Sequence, residues 1–228
     1  SKVVNANGEP LVVYHGTFKG DFEKFDLRHA DVGFHFGSSE AASDRISYVE
    51  EMRKLRGSNE QLGDALIVPV YLSIKNPLRM KDSGDWNPDN MDWQLKEIFS
   101  SPDDAIRIRG LKNSAAIRRF LQMKGYDGIV YRNTGEVAGS KPFRDEMARA
   151  KEAMDKVWPK GKSSFSPEDQ KVPEYIAWSN AMAAYAAHRE SSQEDSYIAF
   201  SPTQIKSKFA TKFNPKDPRI SYANIGKS

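Results

Sequence analysis

The side chains best suited to chemistry in this chain are its histidines, and there are only four of them. His29 falls in a polar loop and His188 near the end of a helical stretch, where solvation is expected. His15 and His35 differ. Each lies at or near the end of an aromatic-rich apolar run beside glycine, in Tyr14-His15-Gly16-Thr17 and Gly33-Phe34-His35-Phe36. A neutral imidazole there can stack, can hydrogen-bond a hydroxyl, or can be a core histidine satisfied from within. A two-histidine metal site would need a third ligand, and none follows at helical or ribbon spacing. The chain has no cysteine, which excludes a thiolate zinc site, a disulfide framework and a cysteine nucleophile.

These groups must be held by a folded body, and 228 residues suffice for one large domain or one domain with an insertion. A mean hydropathy of −0.67 alongside 11% aromatic residues points to a packed core carrying very polar stretches. Lys and Arg number 34 against 31 Asp and Glu, interspersed, so the net charge of +3 does not mark a nucleic-acid binder. No apolar run approaches the roughly 18 residues of a membrane span, and the start of the chain lacks a signal-peptide core. With no cysteine to protect, the expectation is a cytoplasmic protein, in a bacterial or host cytosol, with no membrane partner.

Strands are expected at Leu11–Tyr14, Phe34–Phe36, Ala65–Ser73, Leu78–Met80, Tyr126–Tyr131 and Ser196–Phe200. Pro69 inside the strongest of them suggests an edge or a bulge. Helices are expected over Glu40–Leu55, capped by Ser38 or Ser39 and stopped by Gly57, over Met91–Phe99, and over Ala115–Lys124, capped by Ser114 and ended by Gly125. Residues 137–193 read as a helical insertion with helices near 142–157 and 173–189, followed by the last core strand and a polar tail from 207. Its basic residues, Arg144 and Lys151 among them, with Trp158 and Phe165, could grip an acidic partner or RNA, but they are interleaved with Asp145, Glu146, Glu152 and Asp155, which favours a solvated helix face. Gln204 reads as a turn residue, and Lys206 with Lys208 as a solvated basic patch. The whole, 1–228, is read as one α+β domain.

Five motifs in order give the chain a resemblance. Tyr14-His15-Gly16-Thr17, Gly33-Phe34-His35-Phe36, Val70-Tyr71-Leu72-Ser73-Ile74-Lys75-Asn76-Pro77-Leu78, Gly125-Tyr126-Asp127-Gly128-Ile129-Val130-Tyr131 and the run from Ser196 to Ser207 resemble the ADP-ribosyltransferase fold. The match is closest to the ADP-ribosyltransferase domains of phage and mobile-element polyvalent proteins. It is more distant to the catalytic domain of poly(ADP-ribose) polymerases. The tail Phe213-Asn214-Pro215-Lys216-Asp217-Pro218-Arg219-Ile220-Ser221-Tyr222 fits the phage group too.

The resemblance implies a split β-sheet core with flanking helices, and cleavage of the nicotinamide–ribose bond of NAD as substrate, without a metal. It implies a mono-ADP-ribosyltransferase, a glycosyltransferase in class, that modifies a macromolecular acceptor, protein or nucleic acid, as a phage-encoded effector. Carried over position by position, it assigns NAD binding to Tyr14, His15, Gly16, Thr17, Phe34, His35, Phe36 and Ser38. His15 takes the ribose-binding place, and His35 stands where the polymerases have a nicotinamide-stacking Tyr. The catalytic set is His15, His35, Ser196 and Glu136. Ser196 occupies the place of the family's catalytic Glu and carries no charge, so Glu136, Glu194 or Asp195 must stand in. Two other readings follow from the same motifs: a catalytically silent NAD or ADP-ribose-binding module, and an RNA 2′-phosphotransferase-like enzyme.

Overall fold

The computed structural model describes residues 1–19, 23–58, 62–135, 140–158, 164–210, 214 and 216–220. Glu136, Lys160, Lys162, the side chain of His29 and, of the tail motif, Phe213, Pro215, Ser221 and Tyr222 lie outside the described residues.

Two short sheets meet at a seam. The first contains β1 (Val12–Thr17), β3 (Leu66–Leu72) and β7 (Ile205–Ser207), all antiparallel, in the order β1-β3-β7. The second contains β2 (Phe34–Phe36), β4 (Pro77–Met80), β5 (Gly128–Arg132) and β6 (Asp195–Ala199), in the order β2-β6-β5-β4, with only β4 and β5 parallel. At the seam Tyr14 and Gly37 exchange backbone hydrogen bonds of 2.8 and 3.1 Å. The expected split sheet is therefore present, and both strand-end histidines stand beside the split.

Strand alternation explains the two cores. Phe34 and Phe36 point between the sheets, joining Val13, Phe25, Val70, Leu72, Tyr197 and Ile205. His35, between them, points the other way. On that opposite face Ile129, Tyr131 and Ile198 pack under α2 (Pro88–Ile98), α3 (Pro102–Arg109) and α4 (Ser114–Met123), through Trp86, Met91, Leu95, Ile108 and Phe120. Truncating a ring such as Phe120, 1% exposed, costs about 3–5 kcal/mol by loss of apolar burial and a residual cavity.

Local chemistry sets the ends of the helices. Ser38 Oγ accepts from Ala41 N at the start of α1 (Ser39–Leu55), and Gly57 follows its end at φ +63. Asn113, not Ser114, caps α4; Ser114 Oγ donates instead to the Trp86 carbonyl at 3.2 Å. The helix α3 was not expected, although Ser101-Pro102-Asp103-Asp104 is a cap, a first-turn proline and two acids at the positive end. Pro69 marks no edge strand, because β3 is the centre of its sheet. It lies one residue beyond the stretch that pairs with β7, so β3 has a strand neighbour on only one side there. The insertion forms an antiparallel hairpin of α5 (Ser140–Val157) and α6 (Pro173–Ser191) between β5 and β6.

Candidate active site

A cavity of about 710 Å³ opens at the seam, lined by the end of β1, by β2, by the first turns of α1 and by the ends of β5 and β6. Its far wall comes from the hairpin, through Arg144 and Tyr185. His15, Gly16, Thr17, His35 and Ser196 all line it, as do Tyr14, Phe34 and Phe36. Ser38 is not among the lining residues, and its hydroxyl is occupied as the α1 cap.

The tautomer of His15 is set by its partner. Nδ1 lies 2.8 Å from the backbone carbonyl of His35, which can only accept, so Nδ1 carries the proton and Nε2 keeps its lone pair. The ring sits against the edge of Phe25 and the tilted ring of Phe36, with centroids at 5.1 and 5.6 Å. Burial holds the His15 imidazole below its usual range; the carbonyl bond opposes this, and the charges of His35 and Arg45 add to it. His15 is thus neutral at neutral pH, an acceptor at Nε2.

His35 is held differently. Its Nε2 donates to Asp31, 2.9 and 3.1 Å from the two carboxylate oxygens, and its Nδ1 lies 3.5 Å from the Tyr131 hydroxyl. Trp86 and Tyr131 present their edges to the ring at 6.0 and 6.4 Å. Asp31 and Trp86 went unnoticed in the sequence: one lies in a polar loop, and the other comes from the far side of the sheet.

Gly16 and Gly37 are required by the scaffold itself. A Cβ on Gly16 would lie 2.4 Å from the Ala42 carbonyl oxygen, so β1 and α1 could not approach as they do. A Cβ on Gly37 would lie 2.8 Å from Ser196 Oγ. Ser196 is 2% exposed and accepts from Asn133 Nδ2 at 3.1 Å. Asn133 Oδ1 in turn accepts from Gly135 N at 3.0 Å. Asp82 Oδ2 accepts from Thr134 N and Thr134 Oγ1 at 2.8 and 3.0 Å. The chain is thereby fixed along the cavity wall as far as Gly135, which lines it; Glu136 is the next residue, outside the described ones.

The other stand-in carboxylates are placed elsewhere. Asp195 forms a bidentate pair with Arg79 at 2.7 and 2.8 Å, and Glu194 is exposed; neither lines the cavity. The described carboxylates that do are Asp26, Asp31, Asp44, Asp82 and Asp85. Two arginines distant in sequence also reach it, Arg45 from α1 and Arg144 from α5. Arg144 Nη1 is bound to both oxygens of Asp44 at 2.8 Å, and these bonds keep the guanidinium charged against the opposing effect of burial. The other charges of α5 pair on its surface, Lys141 with Asp145 at 2.7 Å and Lys156 with Glu152 at 3.1 Å. Among the described residues no group of three or more His, Cys, Asp or Glu is placed to hold a metal.

The chain matches a family model described as ADP-ribosyltransferase in polyvalent proteins, over residues 5–214. Neither a curated protein nor a solved structure matches it. The matched span takes in both sheets, the histidine seam and the inserted hairpin. On that match the chain belongs to the ADP-ribosyltransferases of polyvalent proteins.

Proposed function

We propose that the seam cavity binds NAD, releases nicotinamide and transfers ADP-ribose to a macromolecular acceptor. The observation that carries this reading is the fixed tautomer of His15, whose Nε2 lone pair stands ready for a ribose hydroxyl beside Gly16. A cavity of about 710 Å³ is ample for a dinucleotide. His35, oriented by Asp31, is the wall against which the flat nicotinamide ring lies.

In this reading the glycosidic C–N bond breaks with its electron pair leaving on nicotinamide, which departs neutral. Positive charge develops on the ribose carbon and ring oxygen, as in glycoside cleavage. An acceptor nucleophile then forms the new bond to that carbon and gives its proton to a carboxylate. Ser196 has no charge to offer, and its hydroxyl already accepts from Asn133. Glu136, directly after cavity-lining Gly135, is the carboxylate proposed for both tasks.

A silent NAD-binding module is the second reading, favoured by that same uncharged, buried Ser196. RNA 2′-phosphotransfer is supported less, because it wants several arginines around a phosphate, and the described arginines lining the cavity are Arg45 and Arg144, the second already carrying Asp44. The deciding experiment supplies NAD labelled in the nicotinamide ring and, separately, in the adenine, with a bacterial lysate as acceptor source. Free nicotinamide together with adenine label in macromolecules, both lost in Glu136→Gln, is the expected result. Saturable NAD binding without release leaves only the silent module.

A further inference from the structure

Beside the reaction cavity, α1 and the α5–α6 hairpin enclose a second hollow of about 360 Å³. Met52, Met147, Met182 and Trp178 wall it. Tyr48 and Arg144 line both hollows, so the two adjoin at these side chains.

Arg144 supplies an independent observation. Its Nη1 is bound to Asp44, but Nε and Nη2 are buried without a hydrogen-bond partner. The Glu51 carboxylate stands off at 3.7 Å from Nε, too far to be one. Buried guanidinium nitrogens left unmet are costly, and in a protein that binds a ligand nearby they point to acceptors the ligand brings.

We propose that this hollow docks a segment of a protein acceptor. An apolar side chain of Met, Leu or Phe size seats among the methionines, and a turn of the Arg144 side chain brings its buried, unmet nitrogens onto a carbonyl or carboxylate oxygen next to it. The inference rests on the transferase reading and names the acceptor class for it: a peptide segment whose modified residue lies in the adjoining cavity. Methionine walls suit this task because flexible, polarizable thioethers mould to varied apolar side chains. A nucleic-acid strand fits less well. Arg144 is matched by Asp44, Lys151 is paired with Asp155, and Glu51 adds a further negative charge, whereas a phosphate backbone needs excess positive charge.

The test compares the wild type with Met182→Glu and Ile176→Glu. Both side chains are partly exposed on α6, 42% and 45%, so both variants can fold, but only Met182 lines the hollow. The first probe is an array of short Gly-Ser-Glu peptides with one varied central residue. Binding strongest for central Met, Leu and Phe, weakened about tenfold by Met182→Glu and untouched by Ile176→Glu, is expected. The second probe is biotinylated NAD with a bacterial lysate. Label entering protease-sensitive material falls about tenfold in Met182→Glu, while nicotinamide release without acceptor and KM for NAD stay unchanged.

Peptide binding that ignores the central residue, or survives Met182→Glu, overturns the proposal. So does a raised KM for NAD in Met182→Glu, which gives the hollow to the dinucleotide, or displacement of the peptides by a single-stranded RNA oligonucleotide. Peptide binding as expected from a wild type that releases no nicotinamide instead overturns the transferase reading and leaves the docking site in place.

Discussion

His15 is buried as a neutral imidazole, and that choice has a measurable consequence. Its folded-state pKa lies below the ordinary 6.5, so between that folded value and 6.5 the unfolded chain binds more protons than the folded one. The stability His15 contributes is present above pH 6.5 and lost as the pH falls toward its folded value. His15→Asn keeps a donor near the Nδ1 position and removes the titrating ring. The melting temperature of that variant should fall less steeply than the wild type's below pH 6.5, in a thermal titration by circular dichroism. Gly16→Ala tests the scaffold instead. With a Cβ 2.4 Å from a backbone oxygen, it should cost about 1–3 kcal/mol, read by urea denaturation. The two histidines were legible because each stands beside glycine at the end of an apolar run. Their partners were not, since Asp31, Trp86 and Arg45 are recruited through folding rather than through a spacing. Lys206 is the sharpest case: read as solvated, it is 3% exposed, and its ammonium donates to the Asp217 and Arg219 carbonyls.

The six α-helices and seven strands among the described residues differ in how openly the sequence announces them. Capped, glycine-stopped α1 and α4 were legible to within a residue or two at each end. The short helix α3 was not, because eight residues carry too little apolar periodicity to stand out. The insertion was legible as two helices, yet nothing in its charge pattern set Arg144 apart from its neighbours. Only the fold turns Arg144 inward onto Asp44, the two side chains being 11% and 6% exposed. This pair anchors the hairpin to the helix that lines the cavity. Asp44→Ala should destabilise the protein by about 3–5 kcal/mol, since it leaves the buried guanidinium without its hydrogen-bonded carboxylate and with only Glu51 at 3.7 Å. Asp44→Leu combined with Arg144→Met should recover most of that loss. Equal losses in the single and double variants, measured by chemical denaturation, would show that the charge pair is not what holds the hairpin.

Across the whole molecule, the two cores have separate tasks. The inter-sheet core runs up to His15 through Phe25 and Phe36, whereas the outer core under α2–α4 reaches the cavity through Trp86 and Tyr131. Phe120→Ala, deep in the outer core, should lower the melting temperature by roughly 6–20 °C, from about 3–5 kcal/mol at about 2–4 °C each. Nicotinamide release below the transition should persist in that variant, because Phe120 lies away from the cavity. The α+β class and the split sheet were legible because ordered motifs carried them. The route by which the hairpin closes the cavity was not, as it depends on pairs between residues about a hundred positions apart. The most direct measurement is nicotinamide release from NAD by the wild type and by His15→Ala, with NAD affinity measured by titration calorimetry on both. The account predicts release by the wild type, a fall of about a hundredfold or more in His15→Ala, and an unchanged fold by circular dichroism. Equal release by both proteins would contradict it, since the histidine at the seam would then take no part in the reaction.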